Sequence, residues 1–552
     1  MKSRKCLASM GVALMVAFGI GMLGSGQPQY GGTFVMGNEG DVNYMNPAIW
    51  ISTLDQVVNG WLYDQLIIIG EDGSPEPQLA KTWDISEDGK TFTFYLKEDV
   101  KWHDGEQFTA RDVAFTVYAI LAPHVTSNLA NQFSALVGYE ELVDAENPAK
   151  PGDLEEQPIE VVDDFTVRFH LKYADPTFLA IGMDLGIIPA HLLQAGVDAG
   201  EDLTESEFNQ QPVGCGPFKF VEWKRDERIV FEAFEDYHGG RPYLDTIVYT
   251  VVPDFVVLDT MLESGDVDFV RRVQEADLER LRNVPHVHIE SRATIGYGAV
   301  VFNTECPQFS DRRVRAAINY AVDVESMVHT FISQEAVVSS SPFSPMLEWG
   351  YNPALQPYPH DKGKAVELLR EAGWEIDSGG VLRNQAGEPF RFTLNTFDFS
   401  TPRKQSCVFI QEELAQIGMQ VDVEFLATPV LLSNTQDGSF DAAFVAYGGK
   451  ADPDNTARAY ETANIGIGNN TRYSNPYYDM LVAEARATMD QGRRQELYWK
   501  AAEILHDDAP ALWAYHSLQH HGYDKKFKGW VFTPDTVGMF KRMHLVYIEE
   551  DE

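Results

Sequence analysis

The sequence predicts a mixed α/β fold, and three separate segments carry that prediction. Residues 91–96 alternate apolar and polar side chains with the period of a half-buried strand. Residues 109–112 can form a capping box, and apolar residues then recur at helical spacing as far as Leu121. Residues 361–425 repeat a helical pattern followed by an alternating one. Strands and helices are therefore expected to alternate along much of the chain.

The first 26 residues are predicted to be an export signal. Residues 2–5 carry three basic side chains, residues 7–23 are almost entirely apolar or small, and residues 24–26 are small enough for cleavage. Residues 23–26 contain no cysteine, so a lipid anchor is not expected. The alternative is an uncleaved membrane anchor, because residues 6–23 are just long enough to be considered for a span. The protein is expected in the periplasm or outside the cell.

Length and charge limit the class of protein further. With 552 residues, the chain is too long for one hydrophobic core and long enough for two or three lobes. It carries 83 acidic and 43 basic residues, so nucleic acid is not expected as a partner. The part after the signal keeps Cys215, Cys306 and Cys407, an odd number without a CxxC pair. At most one disulfide can form among them, and the sequence leaves open whether it does.

Four segments resemble one family, in the order in which that family has them. They are LAKTWDISEDGKTFTFYLKEDVKWHDGEQFTARDVAFTVYAIL at 79–121, GCGPF at 214–218, VVFNTECPQFSDRRVRAAINYAVDVESM at 300–327 and FDAAFVAYGGKADPD at 440–454. The chain resembles the family 5 extracellular solute-binding proteins, the oligopeptide and dipeptide class that supplies ABC importers. The resemblance covers nearly all of the chain after the signal.

The resemblance implies a periplasmic-binding-protein-like, two-lobed (Venus-flytrap) α/β fold with an extra inserted domain. Lobe I would comprise residues 30–69, 188–294 and 513–552, domain II residues 70–187, and lobe III residues 295–512. Closure of the lobes would trap a ligand, and the closed form would dock on an ABC permease whose ATPase supplies the energy. A monomer without a cofactor is expected.

A ligand held between lobes needs aromatic padding and a few placed polar groups. Together with the resemblance, this requirement selects twelve candidate ligand-binding residues: Asn46, Tyr63, Asp64, Trp349, Arg403, Lys404, Tyr447, Gly448, Gly449, Asp452, Trp513 and Tyr515.

One position departs from the family pattern. Peptide-binding relatives commonly place an Asp shortly before the Asp-Pro pair to receive the ligand's α-ammonium group, and that position here is Gly449, followed by Lys450. Either Asp452 or Asp454 takes this role, or the ligand lacks a free amino terminus. Dipeptide-binding relatives place an Arg for the ligand carboxylate near the position of Arg403 and Lys404.

Several alternatives remain open at this point. The missing Asp keeps oligosaccharides, which some members of this family bind, as a second ligand class. A secreted hydrolase is the rival class, but the sequence has no Walker A loop, HExxH or GxSxG motif. A chaperone or sensor on the same scaffold would differ in its downstream partner. His516, His520 and His521 are the best metal candidates, but they lack a neighbouring Cys or carboxylate motif, so we interpret them as surface residues and predict no metal site.

Overall fold

The computed structural model describes residues 28–535 and 537–549, with the side chains of residues 181, 182 and 517 left out. The predicted export signal, residues 1–26, lies outside these residues. Within them, no helix combines the length and the apolar composition needed to cross a bilayer. The names lobe I, domain II and lobe III are kept below for the predicted segments, whose boundaries stay a prediction.

The described residues form strands and helices that alternate along the chain, as the sequence predicts. The strands are β1 (Thr33–Asn38), β2 (Ile67–Ile69), β3 (Pro75–Pro77), β4 (Ala80–Ile85), β5 (Thr91–Leu96), β6 (Ile159–Asp163), β7 (Thr166–His170), β8 (Phe218–Lys224), β9 (Arg228–Ala233), β10 (Thr246–Val251), β11 (Phe269–Val270), β12 (Val287–Phe302), β13 (Val337–Val338), β14 (Trp374–Ile376), β15 (Leu382–Asn384), β16 (Arg391–Phe397), β17 (Gln420–Leu426), β18 (Ala442–Tyr447), β19 (Ala511–Asp524), β20 (Phe527–Lys528) and β21 (Tyr547–Ile548). The helices are α1 (Thr53–Leu62), α2 (Ala110–Leu121), α3 (Tyr139–Leu142), α4 (Ala190–Asp198), α5 (Phe255–Ser264), α6 (Leu278–Arg282), α7 (Arg312–Ala321), α8 (Val324–Phe331), α9 (Lys362–Glu371), α10 (Thr401–Ala415), α11 (Thr428–Asp437), α12 (Pro453–Ala457), α13 (Pro476–Arg486) and α14 (Gln491–Asp508).

One large mixed sheet runs through lobes I and III. Its strand order is β17-β16-β18-β12-β19-β11-β1-β10-β9-β8, with β13 added to β19. Strands β1, β10 and β11 are parallel neighbours on the lobe I side, and β16, β17 and β18 are parallel neighbours on the lobe III side. The long antiparallel pair β12 and β19 joins the two halves.

The β12–β19 pair is irregular where it passes from one half to the other. Its register shifts between Ala293 and Tyr297, and again between Gly298 and Ala299. The first shift lies beside the predicted boundary at residues 294 and 295. An interrupted ladder has fewer backbone hydrogen bonds between its strands than a regular one.

Domain II is built on a separate four-stranded sheet of order β4-β5-β7-β6. The predicted strand at residues 91–96 is β5, and the predicted capped helix is α2. Thr109 and Asp112 form the predicted capping box, in which the Asp112 carboxylate accepts from the Thr109 backbone N–H at 2.8 Å. Val113, Val117, Ile120 and Leu121 are all buried, as their spacing predicts. These local sequence signals are therefore confirmed.

The core is divided among several apolar clusters. The largest contains residues of lobe I and domain II, including Trp61, Phe94 and Phe231, and it also includes Ile295, Leu347 and Ala451 of lobe III. Two further clusters lie in lobe III, and a smaller one packs around α5 and α6.

Two details differ from what the sequence suggests. The apolar spacing of the sequence predicts a helix over residues 410–418, but α10 begins at Thr401, because Pro402 occupies its first turn and the apolar pattern there is weak. The sequence predicts an acidic partner for Arg315, because the helix dipole disfavours a positive charge in the first turn of α7. The structure shows instead that Arg315 is buried and donates to the backbone carbonyls of Phe309, Ser310, Asp508 and Ala509. It therefore caps the carboxyl end of α14. Cys215, Cys306 and Cys407 are all free thiols.

Candidate functional site

A cleft of about 310 Å³ lies where the three segments meet. Lobe I contributes residues around α1 together with Asp535, Val537 and Lys541. Domain II contributes Leu129, Gln132 and Ala180 to the lining of the cleft. It also contributes Asp184, Leu185 and Gly186, which lie just before the chain enters the second segment of lobe I. Lobe III contributes the loop 449–451 that follows β18. The cleft therefore has walls from parts of the molecule that bending at β12 and β19 would separate.

Opposite charges meet on one side of this cleft. The Lys541 ammonium lies 2.6 Å from Asp184 Oδ1 and 3.6 Å from Asp535 Oδ2. Burial lowers the pKa of Lys541, but the attraction of the two carboxylates outweighs burial and raises that pKa above its ordinary value. Lys541 is therefore a fixed cation at the cleft.

Lys450 brings a second cation from lobe III. Burial lowers its pKa, the nearby Asp184 carboxylate opposes that effect, and repulsion from Lys541 adds to it. With Asp184 and Asp535, the cleft holds two cations and two carboxylates at short range. Such a surface presents partners of both signs to a ligand.

Two residues that line the cleft carry buried amide atoms that have no hydrogen-bond partner among the described residues. Asn59 is 6% exposed, and neither its Oδ1 nor its Nδ2 has a hydrogen-bond partner among the described residues. Gln65 is 8% exposed, and its Oε1 likewise has no partner there. A buried polar group left without a partner costs free energy, so these atoms gain when a ligand amide or hydroxyl reaches them.

Glycines allow the walls of the cleft to approach closely. A Cβ added to Gly449 would lie 2.4 Å from Ile295 Cγ2, on the strand crossing, and a Cβ added to Gly186 would lie 2.9 Å from Pro47 Cβ. Neither contact is compatible with a larger residue unless the backbone moves. An Asp cannot simply replace Gly449 in this packing, which gives a steric reason for the departure from the family pattern.

Of the twelve sequence-predicted candidates, Tyr63 and Gly449 line the cleft. The Tyr63 hydroxyl already donates to the Met45 carbonyl at 3.0 Å, so its ring rather than its hydroxyl faces a ligand. Asn46 is fully buried next to Pro47, a residue of the cleft wall, and its Oδ1 accepts from the Ala48 N–H. Gly448 is exposed and directly precedes the lobe III wall of the cleft.

The Asp64 carboxylate lies in the protein interior and is hydrogen-bonded to other side chains. It is fully buried, and its carboxylate accepts from Gln78 Nε2 at 2.8 Å, Tyr237 Oη at 3.0 Å and His238 Nε2 at 2.5 Å. The hydrogen bonds of this carboxylate are therefore made within the protein, and Asp64 is not proposed as a ligand-binding residue.

Asp452 is likewise committed inside lobe III. Its two oxygens accept from Arg494 at 2.8 and 3.0 Å, and Oδ1 also caps α12 through the Asp454 N–H. Burial raises the pKa of the Asp452 carboxyl group, and Arg494 opposes that effect. This fork-shaped pairing uses the oxygens that a ligand ammonium would need, so the proposed role of Asp452 or Asp454 as its receptor is corrected. Asp454 itself pairs with Arg458 and Arg486.

The four other aromatic candidates pack against neighbouring aromatic rings and are not among the residues that line the cleft. Tyr447 stacks on Tyr297 at 5.1 Å between ring centres, and Trp513 meets the edge of Tyr297. Tyr515 is buried beside Phe444, and Trp349 packs against Tyr498. These rings build the core below the lobe III wall.

The two cationic candidates of α10 lie apart from the cleft. The Arg403 guanidinium sits over the Phe397 ring, and Lys404 Nζ donates to the Asp398 carbonyl at 2.7 Å. Lys404 borders a different, shallow groove with Phe331, Val408 and Phe425.

The interpretation of the three histidines as surface residues is wrong. His516, His520 and His521 are all buried, and they lie on strand β19 rather than on a helix. Burial lowers the pKa of His516 and of His521 to about 3, so both are neutral near pH 7. His520 pairs with Glu275 of lobe I at 3.0 Å.

Sequence reasoning missed the charged and amide residues of the cleft, apart from noting Lys450 beside Gly449. Asp184 and Lys541 are separated by 357 positions, and neither lies in a motif. Asn59 sits in an amphipathic helix, where the sequence alone does not distinguish a paired amide from an unpaired one. For Asp452 a signal did exist, because an Asp before a Pro is typical of a helix N-cap followed by a first-turn proline.

Comparisons with known proteins agree with this architecture. The sequence model of the bacterial extracellular solute-binding proteins, family 5, matches residues 74–466. Heme-binding protein A of Haemophilus influenzae is 31% identical, over 83% of this chain and 82% of its own length. The dipeptide-binding protein of Escherichia coli is 30% identical, over 91% of this chain and 92% of its own length.

A solved structure has the same fold over nearly the whole chain. The oligopeptide-binding protein AppA of Bacillus subtilis, solved in complex with a nonapeptide, superposes with a TM-score of 0.72 and 27% identity. The alignment covers 95% of this chain and 100% of that one.

Proposed function

Because the chain belongs to the bacterial extracellular solute-binding proteins of family 5, we propose that it captures short peptides in the cleft between its lobes and delivers them to a membrane permease. Of the relatives named above, one is a dipeptide-binding protein and one a heme-binding protein, and the solved structure of AppA contains a nonapeptide. The ligand class therefore has to be argued from this chain's own cleft.

The unpaired amides carry the proposal. A peptide bond offers one N–H donor and one carbonyl acceptor, and Asn59 presents an unused acceptor and an unused donor from a buried position. Gln65 Oε1 offers a further acceptor on the same wall. Recognition of the main chain through such groups would tolerate varied side chains on the peptide.

The charges suit the two ends of a free peptide. The carboxylates of Asp184 and Asp535 can receive an α-ammonium group, and Lys450 and Lys541 can receive a carboxylate. A cleft of about 310 Å³ lies at the lower end of the roughly 300–1,000 Å³ typical of ligand pockets. We therefore favour peptides of two or three residues.

A neutral oligosaccharide is less well matched by the cleft. Trp50 and Tyr63 are the aromatic side chains among its lining residues, and a neutral sugar stacked on them would offer no charge to the four charged groups of the cleft. A secreted hydrolase would need a nucleophile or a metal centre near the ligand. The lining groups described here are instead suited to holding a charged molecule.

Capture would depend on bending at the β12–β19 crossing. In this proposal lobe I and domain II move as one unit, and lobe III closes on them with Gly449 and Lys450 at its front. The segments 30–69, 188–294 and 513–552 would form lobe I, 70–187 domain II and 295–512 lobe III. The register shifts of the β12–β19 pair beside Ala293 and the separate apolar clusters of lobe III support this division.

The closed form would present its two lobes together to an ABC permease, whose ATPase powers transport. The predicted signal at residues 1–26 would bring the protein to the periplasm or the cell exterior, where it would act as a monomer. The acidic surface would keep it soluble there and would not favour nucleic acid.

Incubation with defined dipeptides and tripeptides tests this function. Binding to the folded state should raise the free energy of unfolding by about 2.7 kcal/mol at a ligand concentration a hundredfold above the dissociation constant. Small-angle scattering should show contraction, and mass spectrometry should recover the peptide intact. Cleaved products would indicate a hydrolase, and unchanged dimensions with a bound peptide would argue against the hinge.

A further inference from the structure

A second cavity lies between domain II and helix α4 of lobe I, apart from the interlobe cleft. Its volume is about 730 Å³, and it shares no lining residue with the cleft. One wall is helix α2, a second is the end of α4, and a third is formed by the loop 148–151 and by Val161 of β6. The proposed peptide-binding function does not use this cavity.

The cavity is long, and its walls are mainly apolar. Its lining runs along α2 from Arg111 to Ala122 and on to His124. At 1.5 Å of rise per residue, the helical part alone extends over roughly 16 Å. Alanines at 114, 119 and 122 leave room beside the helix, and Phe115, Leu121 and Val197 contribute apolar surface.

The rim of the cavity carries two cations. Arg111, in the first turn of α2, and Lys150, on the opposite loop, are both exposed, and neither has an ion pair within the described residues. Asp198 also reaches the lining, so the charged rim groups sum to one positive charge if His124 is neutral. In a chain with a large excess of acidic residues, such a rim favours an anion.

We propose that this cavity binds a free long-chain fatty acid, with its acyl chain along α2 and its carboxylate at the cationic rim. The length and the apolar walls match an unbranched hydrocarbon, and burying such a chain is favourable in proportion to its apolar area. Arg111 and Lys150 then pair with the carboxylate near solvent.

A peptide fits this cavity less well than a fatty acid. Pro148 and Pro151 have no backbone N–H to donate, and the exposed His124 ring is already bonded to the Val197 carbonyl at 3.0 Å. A buried peptide main chain needs a partner for each polar group, whereas an acyl chain needs none. The chemistry of the walls therefore selects a lipid-like ligand.

Calorimetric titration of the whole protein with palmitate, hexadecanol and butyrate, below the micelle concentration, tests the proposal. Palmitate should bind one molecule per chain, hexadecanol about fivefold or more weakly because it lacks the charge, and butyrate not measurably. Equal affinity for palmitate and hexadecanol would overturn the role of the cations. No binding of palmitate would overturn the site itself.

Variants locate the binding to this cavity. Ala114→Trp fills the space beside α2 and should abolish palmitate binding, and Val161→Glu should do the same from the other wall without crowding the helix. Arg111→Gln and Lys150→Gln should each weaken palmitate about fivefold and leave hexadecanol unchanged. Arg370→Gln, an exposed cation on α9 of lobe III, serves as the matched control. Unchanged palmitate affinity in both Ala114→Trp and Val161→Glu would contradict the proposal.

Palmitate binding at this cavity is expected to be independent of peptide binding in the interlobe cleft. Each variant should keep its melting temperature and its affinity for the peptide that binds the wild type. A wild-type protein that binds palmitate but no peptide would contradict the proposed function and leave the fatty acid site standing. A wild-type protein that binds a peptide but no palmitate would contradict the fatty acid site and leave the proposed function standing.

Discussion

Lys541 Nζ donates to Asp184 Oδ1 at 2.6 Å and also lies 3.6 Å from Asp535 Oδ2, so a single ammonium group compensates two carboxylates at the edge of the cleft. The Lys541 side chain is 8% exposed, and those of Asp184 and Asp535 are 26% and 19% exposed. Their charges are therefore less screened than those of a surface ion pair.

Replacing Lys541 by Met should destabilise the protein by about 1–3 kcal/mol, because two partly buried carboxylates lose their cation. Urea denaturation measures this change. In the double variant Lys541→Met with Asp184→Asn, the loss should be smaller than the sum of the single losses by roughly 1 kcal/mol. Strictly additive losses would show that the pair does not interact.

Replacing Asn59 by Leu should weaken peptide binding at least about tenfold without destabilising the ligand-free protein. The unpaired amide costs free energy in the empty cleft, and Leu has the better helix propensity, so the melting temperature should stay the same or rise. Calorimetry and thermal denaturation together check both parts. Asn434→Leu, on α11, controls for the general effect of the substitution. A large loss of stability with normal affinity would assign Asn59 a structural role.

Asp452→Asn tests whether this carboxylate serves the protein or the ligand. Because Arg494 would be left buried without its counter-charge, we expect a loss of about 2–4 kcal/mol in the free energy of unfolding. Peptide affinity, measured well below the melting temperature, should stay within about threefold of the wild type. A stable variant that has lost affinity for free-amino peptides would restore the ligand role predicted from sequence.

Asp259 gives the stability of lobe I a distinct pH dependence. Burial raises the pKa of its carboxyl group from 3.8 to about 7, with a further contribution from Asp277. Between these two pKa values the folded state holds a proton that the unfolded state has released. The resulting stabilisation is complete below about pH 4 and is lost as the pH rises through 7.

Asp259→Asn should therefore stabilise the protein at pH 8 by roughly 1–3 kcal/mol and have little effect at pH 4. The Asn oxygen can still accept from the Gln274 N–H, which donates to Asp259 at 3.1 Å. Denaturation across this pH range measures the difference, and the exposed Asp153→Asn serves as control. A variant less stable than the wild type at pH 8 would show that the charged Asp259 carboxylate stabilises the folded protein.

The parts of the fold that the sequence predicts are those determined by neighbouring residues. The Thr109–Asp112 capping box, strand β5 and the Gly373 stop after α9 each depend on contacts within a few positions, so local pattern is sufficient. The start of α10 and the backbone partners of Arg315 depend on packing between distant segments, which local pattern does not record.

Fewer residues of the cleft could be predicted from the sequence, because the cleft also depends on packing between distant segments. Tyr63 and Gly449 could be selected because aromatic rings and glycines in loops are typical of binding sites, but Asp184 and Lys541 meet only through the tertiary fold. The sequence suggests Asp452 as a ligand group because Gly449 occupies the usual Asp position, and the pairing of Asp452 with Arg494, 42 positions later on another helix, is not visible in the local pattern. Acidic residues are too common in this chain for one of them to signal a site by itself.

The central claim is that the cleft holds a short peptide by both its main chain and its charged ends. Calorimetry with a free tripeptide, with the same tripeptide acetylated and amidated at its ends, and with a neutral trisaccharide tests it most directly. We predict one binding site for the free tripeptide. The capped tripeptide should bind with an affinity lower by about a hundredfold or more, because the charged groups of the cleft would lose their partners at the two ends of the ligand. The trisaccharide should show no measurable binding. Equal affinity for the free and capped tripeptides, or tight binding of the trisaccharide alone, would contradict the account.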